Sequence, residues 1–224
     1  MKIELSKEIT AACPNLHVLA IRAQVKNTQY NKELWQEITA LEQVIRSESK
    51  LEEINKIPAI LATRQAYKKL GKDPNRYRPS AEALHRRIHR ELPLYPINTL
   101  VDLINLISIK TGYSIGGFDA AKIDGDLVLG VGRAGELYNG IGRGKLNIEG
   151  LPVYRDRTGG IGTPTSDEER TKINPETSDL LMLINAYSGI SGLETTRKWI
   201  VDVLQKYGMA TQISTTIIHS EQTL

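Results

Sequence analysis

The sequence predicts an α+β fold, and three observations carry that prediction. Apolar residues recur at helical spacing around 31–46, 58–71, 81–91, 98–111 and 194–208. The runs 16–23 and 211–218 are apolar and β-branched over the length of a strand. Between these, glycines at 112, 116, 117, 125, 130, 132 and 135 break the chain into short apolar stretches suited to strands and tight turns.

The elements follow in order. Residues 2–9 alternate weakly and are expected to form a strand, with 16–23 a stronger one, both joining the main sheet. Leu34, Trp35, Ile38, Leu41, Val44 and Ile45 mark a helix started by Asn31, with Trp35 in the core. Pro58 suits the first turn of the next helix, which stops at Gly71. After the basic loop 71–80, Pro79 and Ser80 open a helix over 81–91 that carries Arg86, Arg87 and Arg90 on its outer surface, and Pro93 and Pro96 end it. His85 and His89 stand at i, i+4. The arginines around them oppose a dication, so they are read as surface or hinge histidines and no metal site is expected.

The helix after Pro96 is apolar around nearly its whole circumference, through Leu100, Val101, Leu103, Ile104, Leu106, Ile107 and Ile109, and is therefore buried. Its exceptions, Asn98, Asp102 and Asn105, fall on one narrow stripe. An unpaired buried polar group costs roughly 1–3 kcal/mol, so the stripe must find partners. Two roles fit: an Asn98 cap with internal hydrogen bonds, or the polar wall of a ligand pocket.

A strand from Gly116 to Ile123 then turns at Asp124-Gly125 into Asp126–Val131, which reads as a hairpin. Gly130, Gly132 and Gly135 match the dinucleotide fingerprint in letters, but no helical period follows, so no helix N-terminus is available for a pyrophosphate. Strands are expected at Leu146–Ile148 and Pro152–Arg155. Thr163–Arg170 reads either as a helix start, from its two overlapping capping boxes, or as a hydroxyl-rich pocket rim. The short apolar run 180–184 fits a strand, although 179–186 also fits a helix; a helix closing at Gly208 and a strand over 211–218 inside a sheet complete the chain.

Composition narrows the function. With 40% hydrophobic and 25% charged residues the chain is globular, so disorder is not expected. No apolar run reaches a membrane span of about 18 residues, and the first residues lack a secretory h-region, so a cytoplasmic protein without membrane partners is expected. Cys13 is the single cysteine, which excludes an internal disulfide. The net charge is only +3, yet nine Lys or Arg face two acids between Arg64 and Arg90. Such a local excess is the footprint of a phosphate-backbone contact, or else a solvated helical face. No serine–histidine–acid or cysteine–histidine set stands out, so the catalytic residues, if any, are unassigned.

The words Pro96-Ile97-Asn98, Val101-Asp102 and Phe118-Asp119, then Gly135-Glu136, Gly159-Gly160-Ile161 and Glu176-Thr177, come in an order and spacing that resembles the B3/B4 editing domain of the bacterial phenylalanyl-tRNA synthetase β subunit. The resemblance spans residues 76–190. The stretches RYRPSAEALHRRI and SDEERTKI are similar to free-standing members. It implies a three-layer β-β-α sandwich with 180–184 as one of its strands, one domain over 1–224 with 1–75 as an N-terminal extension, and no cofactor. It also implies tRNA or aminoacyl-tRNA as partner and hydrolysis of a mischarged ester in trans, by positioning water rather than by side-chain attack. The aminoacyl site would take Asn98, Asp102, Gly116, Gly117, Thr163, Thr165 and Ser166, with Lys72, Arg76, Arg78, Arg86 and Arg87 on phosphates. Departures are clear: glycine at 116 replaces a family histidine, Leu183 stands near a tyrosine-reading glutamate, and Thr163-Pro164-Thr165 replaces Gly-Gly-Glu. The alternatives are a non-catalytic tRNA-binding module and an amino-acid-binding pocket protein.

Overall fold

The near-continuous apolar runs exist because one sheet is covered on both faces. In the computed structural model, which describes residues 1–92 and 94–220, β2 (His17–Gln24) and β9 (Asp179–Ala186) pair antiparallel at the centre of a four-stranded sheet. β3 (Ile115–Asp119) and β10 (Thr211–His219) form its edges, in the order β10-β2-β9-β3. Successive side chains of a strand alternate between faces. Leu19, Ile21, Ala23, Leu180, Met182 and Ile184 accordingly pack on helices, whereas Val18, Ala20, Leu181 and Leu183 pack on a second sheet.

The second sheet runs β1 (Ile3–Leu5), β4 (Leu127–Val131), β7 (Pro152–Arg155), β8 (Gly160–Gly162). Leu127, Leu129, Tyr154 and Ile161 point to the inter-sheet core, where Phe118 is fully buried, while Val128 on the other face is exposed. On the outer face of the first sheet lie α2 (Lys32–Glu48), α5 (Thr99–Thr111) and α6 (Leu193–Gly208). The architecture is thus α+β, a three-layer β-β-α sandwich. α1 (Lys7–Ala12) and α3 (Pro58–Lys69) close the inter-sheet core through Ile9, Ala62 and Ala66. α4 (Ser80–His89) packs against α5 and α2, and a short ribbon, β5 (Asn139–Gly140) with β6 (Gly144–Lys145), stands apart.

Several expectations are corrected. Residues 2–9 divide into β1 and α1, and β1 joins the second sheet, parallel to β4. β3 and β4 do not form a hairpin: the Asp124-Gly125 turn, with Gly125 at φ +84°, carries the chain from one sheet to the other. Leu146–Ile148 is not a strand, since pairing ends at Lys145. No α-helix starts in 163–170. Thr163 Oγ1 accepts from the N–H groups of Thr165 and Ser166, and only a 3-10 turn follows, over Glu169–Thr171. Gly208 lies within α6, which ends at Met209 in the left-handed region. β10 is an edge strand, and Trp35 is half-buried, its indole donating to Asp102. α4 ends before Leu92; the expected stop at Pro93 lies outside the described residues.

His85 is not on the surface. It is buried between helices, and neither ring nitrogen finds a hydrogen-bond partner among the described residues. Burial, aided by neighbouring His89, pushes its pKa down to about 4. A histidine held neutral in the fold stabilises fully above its unfolded pKa of about 6.5, and that contribution is lost as pH falls toward 4. Urea unfolding at pH 4.5 is expected to show about 2–3 kcal/mol less stability than at pH 7.5 from this group. A His85→Leu variant should lack that part of the dependence; an unchanged pH profile would show that His85 protonates freely in the fold.

Candidate functional site

α4 and α5 meet beside the outer edge of β3, which is bridged to Lys172 at Phe118, and a pocket of about 670 Å³ opens there. Each helix contributes through a legible local cause. Asn98 caps α5, accepting from Val101 N–H at 3.0 Å, and Gly112 ends it in the left-handed conformation that lacks a Cβ penalty. α5 therefore presents Val101, Ile104, Asn105 and Ser108 to the pocket. α4 presents Leu84, Arg86, Arg87 and Arg90, and Arg78 precedes it. Gly117 forms part of the floor because a Cβ there would stand 2.4 Å from Ile104 Cδ1. Ile115, Ile141 and Arg143, the last two between β5 and β6, and Asp167, Lys172 and Ile173 also line it.

Among the described lining residues the cations are Arg78, Arg86, Arg87, Arg90, Arg143 and Lys172, against the single carboxylate Asp167. Arg86 is not a loose charge. Glu82, fully buried, accepts from its Nε at 2.9 Å and from Arg64 at 2.7 Å. Arg87 lies over the Tyr95 ring at 5.2 Å, and Tyr95 is 60% exposed. A cationic rim beside an exposed aromatic face suits a phosphate chain with a stacked base.

The expected site residues divide between this pocket and the interior. Arg78, Arg86, Arg87 and Gly117 come together here. Asn98 is spent on its cap. Asp102 is buried and accepts from Trp35 Nε1 at 2.8 Å and Ile97 N–H at 3.1 Å; burial pushes its carboxyl above the usual range, against those two bonds. Of the polar stripe, Asn105 alone reaches the pocket. Gly116 faces the inter-sheet side, where with Thr163 and Leu183 it borders a cleft of about 10 Å³, room for roughly one water. Thr165 is buried against the Tyr67 hydroxyl at 2.9 Å, and Ser166 belongs to the Thr163 turn. Lys72 is buried, its ammonium donating to the carbonyls of Asn147 and Glu149, so it adds nothing to the basic surface; Arg76 is exposed and lies over Tyr77, outside the pocket. Among the described residues no group of three or more His, Cys, Asp or Glu could hold a metal ion, and no helix is long and apolar enough to cross a membrane.

Sequence reasoning missed Arg143 and Asp167. Arg143 sits in a glycine-dense stretch without periodicity. Asp167 stood inside the overlapping capping boxes, in a run that read either as a helix start or as a rim whose binding groups were its hydroxyls.

A β-β-α sandwich with an arginine-rimmed, apolar-walled pocket beside one sheet edge defines the class. The model of the B3/4 domain matches residues 62–215, more than half of the chain, and the protein belongs to that family. The phenylalanine–tRNA ligase β subunits of Brucella abortus, Brucella suis and Brucella melitensis are 32% identical to it over 82 residues, 36% of this chain. That stretch is 10% of each of those curated relatives. An N-terminal fragment of the phenylalanyl-tRNA synthetase β subunit from Pyrococcus horikoshii aligns with a TM-score of 0.48 at 13% identity, covering 96% of this chain and 50% of that one.

Proposed function

We propose that the protein binds the 3′ end of an aminoacylated tRNA in this pocket and hydrolyses the ester of a mischarged one in trans. The observation that carries the proposal is the pairing of a cationic rim with an apolar wall in one cavity of about 670 Å³. A volume of that size suits an aminoacylated nucleoside. Arg78 and Arg90 are exposed at the rim, where phosphates of the single-stranded end would meet them. Val101, Ile104, Ile115 and Ile173 would hold an apolar aminoacyl side chain out of water. Rate enhancement would come from fixing the ester and a water in one geometry, which needs no side-chain nucleophile.

The test is ester loss from a panel of correctly charged and mischarged aminoacyl-tRNAs, with and without the protein. Accelerated loss confined to one mischarged pair is the expected result. A second reading, a binding module without hydrolysis, is favoured by the closed Thr163 turn, whose hydroxyl and neighbouring N–H groups are already paired with one another. No acceleration on any member with tRNA binding intact selects that module; absence of tRNA binding overturns both.

A further inference from the structure

The pocket beside β3 lies at one edge of the first sheet, and the opposite edge is β10. β10 runs for nine residues, and among the described residues its strand partner is β2 alone. Edge strands usually carry a device against pairing with another chain, such as a lysine, a proline, a short length or a covering segment. β1 and β8 are three residues long, and β3 is bridged to Lys172 at Phe118. β10 has no such protection along most of its length. It contains no Pro, Asp, Glu, Lys or Arg, most of its residues are β-branched, and its one bulge falls before Ser214, at Gln212 with φ +49°. From Ile213 onward its side chains alternate. Ile213 and Ile217 pack on the helix-side core, and Thr215 Oγ1 accepts from Arg197 at 3.4 Å. Ser214, Thr216 and Ile218 face the other way, into a groove of about 400 Å³ beside β1.

This order of side chains is self-complementary. A two-fold axis perpendicular to the sheet and passing beside Thr215 sets a second β10 antiparallel to the first, in a register where Thr215 meets Thr215, Ser214 meets Thr216 and Ile213 meets Ile217. Hydroxyl then faces hydroxyl and isoleucine faces isoleucine, the cross-strand pairs that stabilise a sheet. Shifting the axis to Thr216 would instead set Ser214 against Ile218 and Thr215 against Ile217. Charge does not oppose the approach. Arg197, the cation beside the axis, is held by both carboxylate oxygens of Glu194, so two copies bring no bare like charges together.

We infer that two copies of this chain join through β10 about that axis, merging their two four-stranded sheets into one. The axis keeps both helical layers on the same side of the merged sheet. Each pocket lies at β3, on the far edge, so both stay open and the dimer carries two independent ligand sites. The inference does not depend on what the pocket binds.

Sedimentation equilibrium of the full chain between about 1 and 100 µM is expected to give a mass that climbs to twice that of one chain. Thr216 is exposed, and its two copies stand diagonally across the axis, so Thr216→Lys should weaken the dimer at least about tenfold while leaving the circular dichroism spectrum in place. Thr216→Glu alone should do the same. An equimolar mixture of the two variants should regain the dimer, a recovery that damage to the strand itself would not allow. Cys13 is buried, so a cysteine introduced at the axis is the accessible thiol. Oxidised Thr215→Cys should form an intermolecular disulfide quickly, and His219→Cys, whose copies stand more than about 25 Å apart in this register, far more slowly. A monomer at every concentration, growth beyond two copies, a dimer indifferent to both charged variants, or a mixture that fails to regain it overturns the inference. Cross-linking at 219 as fast as at 215 overturns the register and the two-fold pairing with it.

Discussion

Replacing Glu82 with alanine is expected to cost the fold about 3–5 kcal/mol, the loss seen when one partner of a buried ion pair is removed. The side chain of Glu82 is fully buried and holds two guanidinium groups. Arg64, its side chain 10% exposed, donates to Glu82 and also to the Pro74 carbonyl and Asn75 Oδ1, so it pins the loop before α4. Without the carboxylate, two cations would face each other across α3 and α4 in a site that water barely reaches. Domains are stable by only about 5–15 kcal/mol, so the variant should be close to unfolding at 37 °C. Urea titration at pH 7 measures the loss. Arg64→Met with Glu82→Met, which removes charge on both sides, should recover much of it; a loss below about 1 kcal/mol in Glu82→Ala would mean that the guanidinium groups relax into water.

Reversing the charge of Arg78 and Arg90 together is expected to weaken tRNA binding by about 100-fold at physiological salt and to flatten its salt dependence by about two counterions. These two are the informative pair because both are exposed on the rim. Arg86, also a candidate by sequence, is bound to Glu82, so Arg86→Glu would set two carboxylates together in the interior and confuse unfolding with lost affinity. Binding measured between about 50 and 200 mM salt separates the two effects, since a folded variant lacking phosphate contacts loses slope as well as affinity. Unchanged affinity would remove the rim from the account of tRNA binding.

The fold was readable where the chemistry is local and the site where it is not shared. Asn31, Pro58, Asn98 and Gly112 each act at the helix end where their side chain or backbone freedom predicts. The alternation in β2 and β9 was masked because both faces are covered; the continuous run still marked β2 as a strand, whereas the run of β9 fitted a helix as well and only the family resemblance favoured a strand. Pairing partners were not readable. Gly116 and Asp126 lie close in sequence, but which sheet each strand joins is settled by β9 and β1, far away in the chain. The arginines of α4 announced themselves by number alone. Asp167 did not, because its place in the pocket wall is fixed by the N–H of Gly117, 50 residues earlier, a contact that a linear pattern does not encode.

The placement of β2 has a consequence for how the chain is made. Its residues, 17–24, lie outside the 62–215 stretch that carries the family match, yet they occupy the middle of the first sheet, bonded to β9 on one side and β10 on the other. During synthesis, β2 leaves the ribosome with both edges unpaired and waits for strands that begin at Asp179 and Thr211. Pairings of such long sequence separation form slowly, and an apolar strand with open edges is prone to aggregation. The nascent protein should therefore depend on chaperone protection until its last strand has emerged. A fragment cut to the family boundaries would lack the strand on which both halves of that sheet are zipped.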